Sequence, residues 1–304
     1  MLSINTSSAS MSAVNAINKS MSSLSTSMER LATGNRINTS ADDAAGKQIA
    51  NRLTAQSSGM GVALSNIDDA TAMLQTADST FDEMTDVLGR MSDLATQAAN
   101  GTYNDDDLQA MQDEYDELGQ QMSDMLQNTT YGGTNLFGTS GNSNTGVSGL
   151  FQGSVTFQVG AESSDTMTVD ISSQLVKLVG DLDKVSHSFT ADQADTTGKA
   201  GVSGGTELTA SGSANKMIDT ISTAMDDVSK IQSKLGASIN RLNDTASNLT
   251  SMQDNTEVAI GNIMDTDYAT EASNMTKQQV LSQTGITMLK QANSMSSMVS
   301  SLLQ

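Results

Sequence analysis

Residues 49–98, IANRLTAQSSGMGVALSNIDDATAMLQTADSTFDEMTDVLGRMSDLATQA, carry an apolar residue at almost every step of a ladder of alternating four- and three-residue intervals. The rungs are Ile49, Leu53, Gln56, Met60, Ala63, Ile67, Ala70, Leu74, Ala77, Phe81, Met84, Leu88, Met91, Ala95 and Ala98, and only Gln56 is polar. A spacing of about 3.5 residues keeps one stripe of an α-helix turned toward a partner helix. At about 1.5 Å per residue the stretch makes a rod of roughly 75 Å. Such a rod is a building element of a long bundle or filament and points away from an enzyme pocket.

Both ends of the chain repeat the pattern. The N-terminal ladder is Val14, Ile17, Met21, Leu24, Met28, Leu31. A third follows the turn at Gly101 through Leu108, Met111, Tyr115, Leu118, Met122 and Met125, with Asp105, Asp106 and Asp107 where carboxylates favour a helix start. A fourth runs Ile218, Ile221, Met225, Val228, Gln232, Leu235, Ile239, Leu242, Ala246, Leu249. The last stretch repeats in sevens, with Leu281, Met288, Met295 and Leu302 on one seam position and Gly285, Ala292 and Val299 on the other. The fold class this predicts is mainly α: a long antiparallel coiled-coil or helix bundle formed by both chain ends, with a small β-hairpin region and a short variable insert. The hairpin is read from Val155, Phe157 and Val159, then Met167, Val169 and Ile171, alternating with polar residues on either side of a turn at 160–164. Residues 138–149 and 188–213 are dominated by small and polar residues, with little to bury.

Among the 304 residues there is no proline, cysteine or tryptophan. The absence of proline suits long helices, and the absence of cysteine removes disulfides and thiolate chemistry. The N-terminus has neither a basic region nor an apolar run, so no Sec-type signal peptide is expected, and no stretch approaches a membrane span. A net charge of −20 repels nucleic acid and anionic lipid, so neither is expected as a partner. Charge is scarce at the ends: Lys19 is the one charged residue in 1–28, and Lys277 and Lys290 are the only two in 272–304. Helices without a charged outer face are expected to pack against neighbours on several sides, ordering within an assembly.

Residues 29–53, ERLATGNRINTSADDAAGKQIANRL, closely resemble the N-terminal signature of bacterial flagellin. GRMSDLATQAANGTYNDDD, TTYGGTNLFG, FQVGAESSDTMTVDI, LGASINRLNDTASNL, DTDYATEASNM and LKQANSMSSMVSSLL resemble further blocks of that family, in order, over about residues 1–137, 151–171 and 215–304. One departure is Ser294–Ser297, where the family usually carries a proline. The resemblance implies a terminal coiled-coil domain D0 at 1–40 and 262–304, a domain D1 at 41–176 and 214–261, and an outer insert at 177–213. It implies a secreted, self-polymerising subunit of the extracellular flagellar filament, exported unfolded through the type III channel. Its partners would be further copies of itself, the flagellar cap, hook-associated proteins, an export chaperone and a host Toll-like receptor. The residues matching the receptor and subunit-contact site are Arg90, Leu94 and Glu114, with Gly89 and Ser92 in place of the family's usual Gln and Arg. The terminal ladders would form the filament core.

Two alternatives remain: a hook–filament junction protein with similar termini, or a filament-displayed enzyme. The enzyme reading finds no support in the residues. His187 is the sole histidine and is read as an exposed loop residue; there is no HExxH, and no catalytic, cofactor or metal residue is assigned. Asp105–Asp107 lack calcium-loop spacing and are read as a helix cap. Asp42 and Asp43 are assigned to a helix start and subunit contacts, and the ladder methionines to seam packing.

Overall fold

The computed structural model describes residues 8–138, 149–189, 206–210 and 212–302, with the side chains of 9 and 295–302 left aside. The chain forms two compact units, Met1–Ser58 with Met252–Gln304, and Gly59–Ser251. In chain order the helices are α1 (Ser8–Thr33), α2 (Ala44–Ala98), α3 (Asp105–Asn128), α4 (Ser172–Val185), α5 (Ser213–Met264) and α6 (Tyr268–Leu302). Two antiparallel hairpins accompany them, β1 (Thr130–Tyr131) with β2 (Thr134–Asn135) and β3 (Val155–Gln158) with β4 (Thr166–Val169).

In the second unit every ladder rung of α2 from Met60 to Ala98 is buried. Earlier along the helix the stripe moves over by one residue. Ile49 and Gln56 are exposed, whereas Ala50 and Ser57 take the inner positions. A 4-3 repeat falls behind the 3.6-residue turn by about 20° per heptad, so a long helix cannot hold one ladder inward throughout. Helices α5 and α3 show the same offset. On α5 the row Ile221, Val228, Leu235, Leu242, Leu249 is buried, but its companions are Ala224, Ile231 and Ser238 rather than Met225, Gln232 and Ile239. On α3 the inner residues are Gln112, Tyr115, Gly119, Met122, Ser123 and Leu126. The helix starts at Asn104, whose Oδ1 accepts from Asp107 N at 2.8 Å in a capping box.

The hairpin expected around residue 160 is present, with Val155 opposite Val169 and Phe157 opposite Met167. The smaller hairpin turns on Gly132 and Gly133 at φ of 58° and 82°, the left-handed pair that a two-residue turn needs. It delivers Phe137 to the core, edge-on to Phe81 at 4.9 Å between ring centroids.

Of the expected outer insert, 177–213, only 177–189, 206–210 and 212–213 are among the described residues. It begins inside α4, and Leu178, Leu182, Val185, Phe189 and Leu208 are all buried in the core. A buried polar cluster fastens it. Gln112 donates to Glu207 Oε2 at 2.7 Å and accepts from Leu208 N, while Glu207 Oε1 accepts from His187 N at 2.7 Å. His187 is half-buried rather than exposed. Tyr115 donates to Val185 O at 2.8 Å; burial first, then the Glu207 and Asp116 carboxylates, pushes its phenol well above the ordinary range.

Candidate assembly surface

In the first unit α1 and α6 pair closely, with Cα atoms of the two helices within 8 Å of each other along the pair. The less exposed side of α1 is Ser10, Ala13, Ile17, Ser20, Leu24, Ser27 and Leu31, and that of α6 is Glu271, Met275, Gln278, Ser282, Gly285, Leu289 and Ala292. Small residues permit the approach. A Cβ on Gly285 would sit 2.7 Å from Ile17 Cγ1, so glycine is required there for the two backbones to meet.

Each terminal ladder is thereby split. The row Ile17, Leu24, Leu31 turns inward, and the row Val14, Met21, Met28 turns outward. On α6, Gly285 and Ala292 lie inside while Leu281 and Met288 are exposed, as are Val280 and Ile286. The side chains of Met295, Val299 and Leu302 lie outside the described residues. The seam thus mixes Ile17, Leu24, Leu31, Met275 and Leu289 with serine, glycine and alanine, and a second row of large apolar side chains stands on the outer faces of helices that carry almost no charge.

The loops joining these helices to α2 and α5 run antiparallel. Asn35 bridges Asp265, Thr266 N donates to Gly34 O at 2.9 Å, and the Arg36 guanidinium donates to Ile263 O at 2.7 Å. Gly34 adopts a φ of 76°, which favours glycine. Asp42 accepts from the Thr39 backbone N–H and hydroxyl, and from Asn38 N; these bonds, with Arg30 at 4.0 Å, hold its carboxyl below the usual range. Asp43 caps α2 by accepting from Gly46 N at 2.9 Å. A side chain at Gly46 would collide with Ile37 Cδ1 at 2.8 Å, and Ile37 is itself buried. Asp267 caps α6 through Ala269 N and the Thr270 hydroxyl, and is held low by those bonds. The assignment of Asp43 to a helix start therefore has its bond, and Asp42 is tied up in the loop itself.

In the second unit Arg90 and Glu114 face each other across α2 and α3 at 2.6 Å, both nearly half exposed. Leu94 is turned into the core, 2% exposed, and offers no surface. A Cβ on Gly89 would meet nothing within 4 Å. Nearby in sequence to neither, Asp227 is buried between the ammonium groups of Lys177 and Lys230. Burial raises its pKa, but the hydrogen bonds from Lys177 and Lys230 outweigh that and hold it down to about 2.

Residues 4–142 match the bacterial flagellin N-terminal helical region, and residues 218–303 match the bacterial flagellin C-terminal helical region. The chain belongs to the bacterial flagellin family. Flagellin A of Vibrio anguillarum is 31% identical, and Flagellin A of Vibrio cholerae serotype O1 30% identical, each over 100% of both chains. A solved structure of a provisionally assigned flagellar hook-associated protein from Vibrio parahaemolyticus is similar in fold, with a TM-score of 0.52 at 16% identity, over 74% of this chain and 100% of that one. As a flagellin the chain is a structural subunit of the bacterial flagellar filament, and its helical bundle with a small β region is the family's fold.

Sequence reasoning found both rows of each terminal ladder of this flagellin but not which one turns inward. It also missed Arg30, whose guanidinium lies 3.8 Å from the Glu271 carboxylate and 4.0 Å from that of Asp42, and Ile37, buried beside Gly46, as fasteners of the loops. Ser20 and Ser27, seven apart and level with Gly285 and Ala292 in character, carried a usable signal: small residues recurring every seven mark a close helix contact.

Proposed function

We propose that the outward rows of α1 and α6 are the surfaces through which this filament subunit joins further copies of itself. One observation carries the reading: Val14, Met21, Met28, Leu281 and Met288 are all more than 40% exposed on helices nearly without charge. Burying such rows supplies association energy of roughly 25 cal/mol per Å². Residues 1–40 with 262–304 serve as domain D0, the filament core, and 41–176 with 214–261 as D1. Subunits are secreted through the flagellar export channel with a chaperone, assemble under the cap and adjoin hook-associated proteins. The role is structural and not enzymatic. A hook–filament junction role is the weaker reading, since flagellins match over the whole of this chain and the hook-associated protein over 74% of it.

Met28→Asp and Leu281→Asp test the proposal, because a carboxylate on a buried row costs several kcal/mol. The expected result is an unchanged monomer by circular dichroism and no filaments by electron microscopy after salt-induced polymerisation. Normal filaments from both variants would overturn it.

Arg90 and Glu114 serve as a subunit contact that a Toll-like receptor recognises on the free subunit. Gly89→Gln, for which the structure has room, is expected to raise receptor activation. No increase over a fully active parent would count against the recognition claim, and Arg90→Ala filaments of unchanged stability would remove the contact.

A further inference from the structure

The most buried and the most exposed of the described methionines lie on different helices. Met60, Met84, Met91 and Met122 are at most 1% exposed in the core of the second unit, whereas Met11, Met21, Met28 and Met288 are 50–63% exposed on α1 and α6. Met11, Val14, Met21 and Met28 follow one another along a single outer stripe of α1. The chain has no cysteine and no tryptophan, so these thioethers, with that of Met252, are the most readily oxidised accessible groups among the described residues. The sulfur of Met21 also has a neighbour suited to the product: Ser282 Oγ lies 3.5 Å away as a donor, and a sulfoxide oxygen is a far better acceptor than a thioether.

We infer that Met11, Met21, Met28 and Met288 form an oxidation-sensitive site at which a peroxide, acting on the free subunit, blocks its self-assembly. The inference rests on the reading above that further copies cover these rows. The thioether sulfur attacks one oxygen of hydrogen peroxide, the O–O bond breaks, sulfur is oxidised by two electrons, and the second oxygen leaves as water. The product carries a strong S=O dipole in place of an apolar, flexible tip. Burying it in the next copy removes it from water, a loss that repeats in every subunit.

The test treats the monomer with hydrogen peroxide, maps oxidised methionines by peptide mass spectrometry, and then measures the critical concentration for salt-induced polymerisation. Met11, Met21, Met28 and Met288 should oxidise ahead of Met60, Met84, Met91 and Met122, with Met252, equally exposed on α5, reporting the solvent rate. The critical concentration should rise by about tenfold or more. A variant with leucine at the four positions should polymerise like the parent and keep doing so after peroxide. Met21→Gln with Met28→Gln, a polar side chain of similar length, should raise the critical concentration without any oxidant.

Parent-like assembly of the oxidised protein, or equal peroxide sensitivity of the leucine variant, would overturn the inference. Should the leucine variant fail to assemble at all, the glutamine pair decides alone, and parent-like assembly of that pair overturns it. The assembly reading fails separately: it falls if Val14→Asp and Leu281→Asp polymerise normally in untreated protein.

Discussion

The helices of the two units associate in opposite ways. In the second unit leucine, methionine and phenylalanine fill the space between helices. In the terminal pair serine, glycine and alanine alternate with Ile17, Leu24, Leu31 and Leu289 in the seam, the backbones approach closely, and a second row of apolar side chains is left on the outside. The first arrangement places hydrophobic area where one chain alone can bury it. The second leaves part of that area open on the outer faces, the area that the proposed assembly would cover, and holds the two helices together by close contact along the seam. A subunit that must be stable alone and sticky only at its ends divides its apolar side chains in this way.

The largest test of that contrast is a pair of alanine substitutions. Phe81→Ala, which empties a fully buried site beside Phe137, should cost about 3–5 kcal/mol in urea unfolding of the monomer. Met28→Ala should cost less than about 0.5 kcal/mol there. Comparable losses would erase the distinction between the two units. Gln112→Leu comes next, at about 2–3 kcal/mol, because Glu207 would keep its buried carboxylate and lose the amide that satisfies it.

A pH titration sharpens the account of the second unit further. Asp227 has a folded pKa of about 2 against an ordinary 3.8, so its contribution is complete above the unfolded value and is lost as pH falls from 3.8 toward about 2. That window should carry about 2 kcal/mol of the monomer's acid sensitivity, and Asp227→Asn should flatten it. An unchanged slope in the variant would show that the Lys177 and Lys230 contacts do not hold the carboxylate. The smallest effect expected is a gain: Gly89→Ala, with open space for its methyl, should raise stability by about 1 kcal/mol and the melting temperature by a few degrees.

Much of this molecule could be read before its structure. The 4-3 ladder located α2, α3, α5 and both terminal helices, and strict alternation located β3 and β4. Periodicity fixes the stripe of a helix but not its phase. With apolar residues in two adjacent rows, only tertiary packing decides between Met225 and Ala224, or between Val14 and Ile17. Helix α4 escaped because its inner row, Leu175, Leu178, Leu182 and Val185, is short and followed by small polar residues that read as an insert. Glu207 was out of reach for a different reason. A lone glutamate in a stretch of glycine, serine and threonine looks solvated, and nothing local announces that Gln112 and His187 wait to bond it. At the assembly surface the signature residues were visible, but their work was not: Asp43, Gly46 and Asp267 act through hydrogen bonds to backbone groups, which leave no periodic trace.

The bond from Arg36 to Ile263 spans 227 residues, and that from Ser10 to Asn293 spans 283. Joining points so distant along an unfolded chain carries a ring-closure entropy of about 5 kcal/mol. A chain whose middle has already collapsed has drawn those points together beforehand. Closing the α1–α6 pair therefore costs least once the middle of the chain has folded, so its two helices gain from every contact made between them along the sequence.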